Sequence, residues 1–119
     1  MTTTTRRRLD GARLLFAVVV VVHLAVLYLP DPPSAGVGLL PYGDLVVHAL
    51  AFGAVVWTAR LARLPVVPVV LLLVAHAGLS EAVQHSLLPE RGGELSDVVA
   101  DLAGVLLGLV LPLPRRETS

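Results

Sequence analysis

The stretch that decides the fold is LLFAVVVVVHLAVLYL, residues 14–29, in which only His23 and Tyr28 carry a polar group. A membrane-spanning helix needs roughly 20 mostly apolar residues, and this run reaches that length with its flanking turns. Only helices and closed barrels satisfy every backbone hydrogen bond in lipid. Because the run shows no strand-like alternation, it predicts a transmembrane helix at about residues 13–30.

Three more apolar runs follow, separated by segments that cannot continue a helix. Prolines and glycines interrupt residues 30–43 and 88–95, and arginines interrupt residues 60–63. We expect Asp44 and either Ser96 or Asp97 to cap helices. The sequence therefore predicts an all-α integral membrane bundle of about four transmembrane helices. Its predicted parts are a basic tail at 1–13, a domain at 14–113 with spans at about 13–30, 44–62, 65–87 and 97–113, and a tail at 114–119.

The composition agrees with this membrane assignment. Apolar residues make up 55% of the 119 residues and charged residues 15%, whereas a soluble domain carries about 25% charged residues. The net charge is zero, so no overall field favours nucleic acid, and we expect no nucleic-acid partner. Cysteine is absent, which excludes disulfide and thiolate chemistry. No cofactor is expected.

The arginines predict the orientation. If the amino terminus is cytoplasmic, four predicted spans leave Arg91 alone outside, and the other arginines lie inside: Arg6, Arg7, Arg8, Arg13, Arg60, Arg63, Arg115 and Arg116. This distribution follows the positive-inside rule, so both termini are expected in the cytoplasm of a multi-pass cell-membrane protein. A cleaved signal peptide, with Ser34-Ala35-Gly36 after it, is the alternative for the first run; the other spans would keep their orientation.

Ionisable residues one helical turn apart stand at the predicted outer ends of three spans. Spacings of three and four place each set on one helical face, and charged groups near hydrocarbon are expected to turn inward and meet. The sequence predicts a polar ligand-binding pocket open to the outer leaflet. Its expected lining is Asp44, His48, Glu81, Gln84, His85, Arg91, Asp97 and Asp101.

The same residues form an ordered set of motifs. They are Asp44-x-x-x-His48, Ser80-Glu81-x-x-Gln84, Pro89-x-Arg91 and Ser96-Asp97-x-x-x-Asp101-x-x-Gly104-x-x-x-Gly108. This order resembles the VanZ-like family of small multi-span membrane proteins over residues 44–108. Leu45 stands where that family often has Lys, Asp101 where it often has Asn, and the loop at 92–94 also differs. The resemblance implies a cell-envelope role, and the family is named for a member linked to glycopeptide antibiotic resistance.

The function of such a pocket stays open at the level of sequence. Arg91 offers a fork for phosphate or carboxylate, and the histidines offer hydrogen bonds, so a lipid-linked envelope precursor, another membrane lipid or a glycopeptide ligand would suit the site. An enzyme acting on a lipid head group is an alternative, although no catalytic residue can be assigned, since Ser80 and Ser96 fit packing and capping. Further alternatives are a structural polar network in a larger assembly and a divalent metal site, for which no HExxH signature exists.

Other features suggest packing roles. His23 and His76 each stand alone in an apolar run, where a hydrogen bond to a backbone carbonyl or a neighbouring helix is expected. The small residues Ala100, Gly104 and Gly108 predict close helix packing within the chain or, alternatively, a homo-oligomer contact.

Overall fold

The described residues of the chain are almost entirely helical. The computed structural model describes residues 1–29, 41–88 and 95–115, and in these ranges it contains four α-helices and no strand. The helices are α1 (Thr3–Tyr28), α2 (Gly43–Leu61), α3 (Val66–Leu87) and α4 (Leu95–Val110). This confirms the all-α fold, and the first three helices are long and apolar enough to cross a membrane. The 16 residues of α4 span about 24 Å, somewhat less than a hydrocarbon core of about 30 Å.

The first helix begins earlier than the sequence analysis expected. Residues 1–13 were expected to form a tail, yet α1 starts at Thr3. Thr2 caps the helix, because its side-chain oxygen accepts a hydrogen bond from the Thr5 backbone N–H at 3.2 Å. Arginine is also a good helix former. The basic segment thus continues the helical axis of the first span.

The turn between α2 and α3 holds an arginine in an unusual conformation. Arg63 has a φ of 57°, and the Leu64 N–H bonds the Ala59 carbonyl at 2.9 Å while the Arg63 N–H bonds the Arg60 carbonyl at 3.1 Å. This is a Schellman motif, which usually places glycine at the left-handed position. A residue other than glycine at this position costs roughly 1–2 kcal/mol. The chain nevertheless has arginine there.

The closest helix packing in the molecule joins α2 and α4 through glycine. A Cβ added at Gly104 would collide with the backbone carbonyl of Ala49, and one at Gly108 would lie 2.5 Å from the carbonyl oxygen of Gly53. These contacts leave no room for a side chain at Gly104 or Gly108. The small-residue stripe on α4 therefore packs within the chain.

A clamp fixes the carboxyl end of α4 to α2. The Arg60 guanidinium Nη1 donates to the carbonyl of Gly108 at 2.8 Å and to that of Leu111 at 2.7 Å, and the Trp57 indole donates to the Pro112 carbonyl at 3.2 Å. The last carbonyls of a helix have no partner within it. Arg60 supplies that partner for Gly108, and Arg60 and Trp57 also bind the carbonyls of Leu111 and Pro112 just after α4.

The apolar residues divide between a small core and a large outer surface. Many outward apolar side chains are more than 60% exposed, including Val67, Leu72 and Val110. A soluble monomer rarely exposes so large an apolar surface to water. In a membrane, lipid chains would cover such a surface without a free-energy cost. The buried core consists of Leu27, Phe52, Val55, Val56, Leu73, Ala77 and Val105.

The two ends of the bundle differ in charge. Arg8 of α1, Arg63 of the α2–α3 turn and Arg115 after α4 line one cavity, so this end is called the arginine end. The opposite end, where α1 and α3 finish and α2 and α4 start, carries Asp44, Glu81, Asp97 and Asp101 and is called the acidic end.

Candidate polar site

A histidine buried between two aspartates forms the centre of the acidic end. The His48 Nδ1–H of α2 donates to Asp101 Oδ1 of α4 at 2.7 Å, and His48 Nε2 lies 3.8 Å from Asp97 Oδ2. Asp97 and Asp101 stand one turn apart and so share a face of α4. The close glycine contact of α2 with α4 begins one residue after His48, at Ala49, and brings the imidazole within reach of both carboxylates.

Burial makes this an expensive arrangement to form. His48 is 6% exposed, Asp101 1% and Asp97 9%. Burying an ionisable group costs free energy unless it is paired, and here each carboxylate has the imidazole as a neighbour. The Asp101 bond holds Nδ1, so Nε2 points toward Asp97. An imidazole fixed at one nitrogen by a carboxylate presents its other nitrogen in a defined direction.

Glu81 adds a third carboxylate from α3. Its half-buried side chain lies close enough to interact electrostatically with His48, Asp97 and Asp101. Three helices therefore contribute to one cluster. The described part of this cluster holds three carboxylates and one imidazole, and we call it the His48 cluster: His48, Glu81, Asp97 and Asp101.

Three other residues expected at the pocket are placed differently. Gln84 is buried, and its Nε2 donates to the Leu27 carbonyl of α1 at 2.8 Å, so it ties α3 to the last turn of α1. Asp44 lies in the first turn of α2 and is exposed, and His85 is exposed on α3. Within the described ranges, His85 interacts electrostatically with Glu81 of the His48 cluster.

Arg91 lies outside the described residues, as do its neighbours at 89–94. The two serines considered as nucleophiles differ in surroundings. Ser80 is fully buried and donates to the Ala77 carbonyl at 3.1 Å, a bond within its own helix. Ser96 is exposed at the start of α4. Packing thus accounts for Ser80.

A second polar cluster, which the sequence analysis did not assemble, joins α1, α2 and α3 deeper in the bundle. The His23 Nδ1–H donates to the Ala51 carbonyl at 3.1 Å, which confirms the backbone bond expected for a lone histidine. His23 Nε2 lies 3.3 Å from His76 Nδ1, and Tyr28 Oη lies 2.6 Å from His76 Nε2. Phe52 packs edge-on against His23, with ring centroids 4.7 Å apart.

One proton arrangement satisfies this second cluster with neutral rings. The carbonyl of Ala51 only accepts, so the proton of His23 must be on Nδ1 and its Nε2 must accept from His76 Nδ1–H. His76 Nε2 then accepts from the tyrosine hydroxyl. The chain of donors ends at a backbone carbonyl, where no proton can pass further. The hydrogen bonds of this second cluster therefore hold α1, α2 and α3 together.

Metal binding finds no support in the described ranges. Across residues 1–29, 41–88 and 95–115, no group of three or more His, Asp or Glu side chains is arranged to hold a metal ion. No family model, curated protein or solved structure matches the chain.

Proposed function

We propose that this chain is a four-span cell-membrane protein of the VanZ-like type, with both termini cytoplasmic, which binds the polar head group of an envelope lipid or a related ligand at its acidic end. The observation that carries this proposal is His48, buried and paired with Asp101 at 2.7 Å beside Asp97. Interhelical hydrogen bonds in membranes contribute only about 0.6 kcal/mol on average. Packing alone is a weak reason to gather four ionisable groups there.

The orientation supports an outward-facing site. Arg8, Arg63 and Arg115 meet at the opposite end of the bundle, and cytoplasmic segments of membrane proteins are enriched in arginine. Placing the arginine end in the cytoplasm puts the His48 cluster at the outer leaflet. A site there meets envelope precursors and external glycopeptides.

The chemistry of the cluster selects the kind of ligand. Carboxylates only accept hydrogen bonds, so Glu81 and Asp97 suit the hydroxyl groups of a sugar or the ammonium of an aminosugar or peptide. His48 adds a group that both donates and accepts. Arg91, which lies between α3 and α4 in the sequence, would bind a phosphate or carboxylate of the same ligand through two parallel hydrogen bonds. A glycosylated lipid head group carries both kinds of partner, and resistance to a glycopeptide antibiotic would follow from shielding it.

Binding by the purified chain in lipid nanodiscs tests this proposal. The probes are a polyprenyl diphosphate bearing an aminosugar and a glycopeptide antibiotic, with Kd measured by thermophoresis. We expect His48→Gln to weaken binding of at least one probe by about tenfold, equivalent to about 1.4 kcal/mol. The matched control is His85→Gln, an exposed histidine on α3, which should bind like the parent protein. Equal affinities for both variants, with helical content unchanged, would refute the site.

The orientation of His48 favours a second candidate, a small membrane enzyme that acts on a lipid head group. Asp101 holds Nδ1 while Nε2 points away from it, the arrangement in which a carboxylate orients a general base. Release of a water-soluble head group from the polyprenyl probe by the parent protein, lost in His48→Gln, would establish the enzyme. Binding of the probe without release of its head group would favour the binding protein over the enzyme.

A further inference from the structure

The arginine end contains a cavity that the proposed function does not use. Its volume is about 370 Å³. Three arginines from three separate parts of the chain line it: Arg8 of α1, Arg63 of the α2–α3 turn and Arg115 after α4. The positive φ of Arg63 places an arginine where such turns usually have glycine. Helix packing explains none of these three side chains.

The cavity concentrates positive charge that has no counter-ion among the described residues. Within residues 1–29, 41–88 and 95–115, no carboxylate belongs to the cavity lining, and neither of the two ion pairs involves an arginine. Arg60 differs, because its guanidinium is bonded to the carbonyl groups of α4. Guanidinium groups gathered in this way suit an anion such as phosphate.

Apart from Thr5, the rest of the lining is apolar. Leu9, Leu15, Leu61 and Pro114 complete the walls, and Leu15 lies at the start of the long apolar run of α1. The cavity therefore lies where the polar and hydrocarbon regions of a bilayer meet. A free anion would gain nothing from these apolar walls, whereas a phospholipid would place its phosphate among the arginines and the beginning of its acyl chains against the leucines.

We propose that this cavity binds the head group of an anionic phospholipid from the inner leaflet. The phosphate contacts Arg8, Arg63 and Arg115, and the upper acyl chain contacts Leu15 and Leu61. The lipid would join α1 to the α2–α3 turn and to the segment after α4, independently of the ligand at the acidic end.

Two substitutions and one matched control separate this cavity from general attraction to a negative surface. Arg8→Gln removes a lining charge, and Arg6→Gln is its matched control, since Arg6 carries the same charge on the same helix but does not line the cavity. Gly11→Phe fills the cavity and keeps all its arginines. A Cβ at Gly11 meets nothing within 4 Å, and replacing glycine within a helix favours the helix, so this variant should fold.

The experiment is native mass spectrometry of the full chain titrated with phosphatidylglycerol, with phosphatidylcholine and inorganic phosphate as comparison probes. We expect Arg8→Gln to weaken phosphatidylglycerol binding about fivefold, the effect of one basic residue at an anionic surface. Gly11→Phe should weaken phosphatidylglycerol binding at least as much as Arg8→Gln does. Arg6→Gln should weaken it less than half as much as Arg8→Gln. Equal losses in Arg6→Gln and Arg8→Gln with none in Gly11→Phe would overturn the proposal. So would phosphatidylcholine or inorganic phosphate binding as tightly as phosphatidylglycerol.

Discussion

Adding one methyl group at Gly104 should both destabilise the bundle and break the His48 cluster. The size of the effect can be worked from the neighbouring contact at Gly108. A Cβ there would lie 2.5 Å from the Gly53 oxygen, so α2 and α4 would have to part by about 0.9 Å to reach the 3.4 Å of an ordinary contact. The contact at Gly104 is closer still. The required separation for Gly104→Ala is therefore at least as large.

That separation reaches the candidate site, because Asp101 lies one turn from Gly104 and His48 precedes Ala49. A parting of about 0.9 Å would stretch the 2.7 Å bond between His48 and Asp101 to about 3.6 Å, beyond hydrogen-bonding distance. Overpacking typically costs about 1–3 kcal/mol, and loss of an interhelical bond in a membrane about 0.6–2 kcal/mol. The expected destabilisation is about 2–5 kcal/mol.

The assay is reversible unfolding in mixed micelles, followed by circular dichroism, together with probe binding at the acidic end. The control is Gly78→Ala on α3, where a Cβ meets nothing within 4 Å; the higher helix propensity of alanine should leave it as stable as the parent or slightly more stable. If Gly104→Ala unfolds within about 0.5 kcal/mol of the parent, an ordinary surface effect, the close approach of α2 and α4 is refuted.

Three further substitutions test individual contacts by the same unfolding assay. Tyr28→Phe removes the hydroxyl that bonds His76 at 2.6 Å and should cost about 0.6 kcal/mol or more, while Tyr42→Phe, an exposed tyrosine, should change nothing. Gln84→Leu should cost about 1 kcal/mol by leaving a carbonyl of α1 unpaired; unchanged stability would argue against this tie. Arg60→Gln should cost about 1.5 kcal/mol by releasing the end of α4, and an equal loss in the control Arg63→Gln would show a general charge effect instead.

Much of the His48 cluster could be predicted from the sequence. The four-residue spacing of Asp97 and Asp101 places them on one face, and alternating spans bring the start of α4 to the same end as the start of α2. The glycines at 104 and 108 indicated a close partner. These signals are local spacing and connectivity, which sequence carries directly.

The rotation of each helix could not be predicted in the same way. Gln84 and His85 are adjacent, so they point about 100° apart on a helix, and only one of them can face the bundle. The structure turns Gln84 inward and leaves His85 exposed. Asp44 shares a helical face with His48, but it lies in the first turn of α2 and remains exposed. The spacing of residues gives the angle between two side chains on one helix. Packing against neighbouring helices decides which of them faces the interior of the bundle.

The cluster of His23, Tyr28 and His76 shows a different limit. His23 lies five residues before the end of α1, and His76 lies eleven residues before the end of α3. If both ends were level, the two histidines would differ in depth by about 9 Å. The pairing depends on the relative heights of α1 and α3, to which no sequence pattern points. The sequence shows only that a tyrosine ends one apolar run and that histidines lie within two runs, which does not give their relative depth.

The most direct test of the account is the side of the membrane on which the His48 cluster lies. The chain has no cysteine, so single cysteines can be introduced at exposed positions of the two ends, Tyr42→Cys at the acidic end and Thr4→Cys at the arginine end. A membrane-impermeant maleimide should label Tyr42→Cys in intact cells and Thr4→Cys only after permeabilisation. The reverse pattern would place the acidic end in the cytosol and contradict an outward-facing binding site.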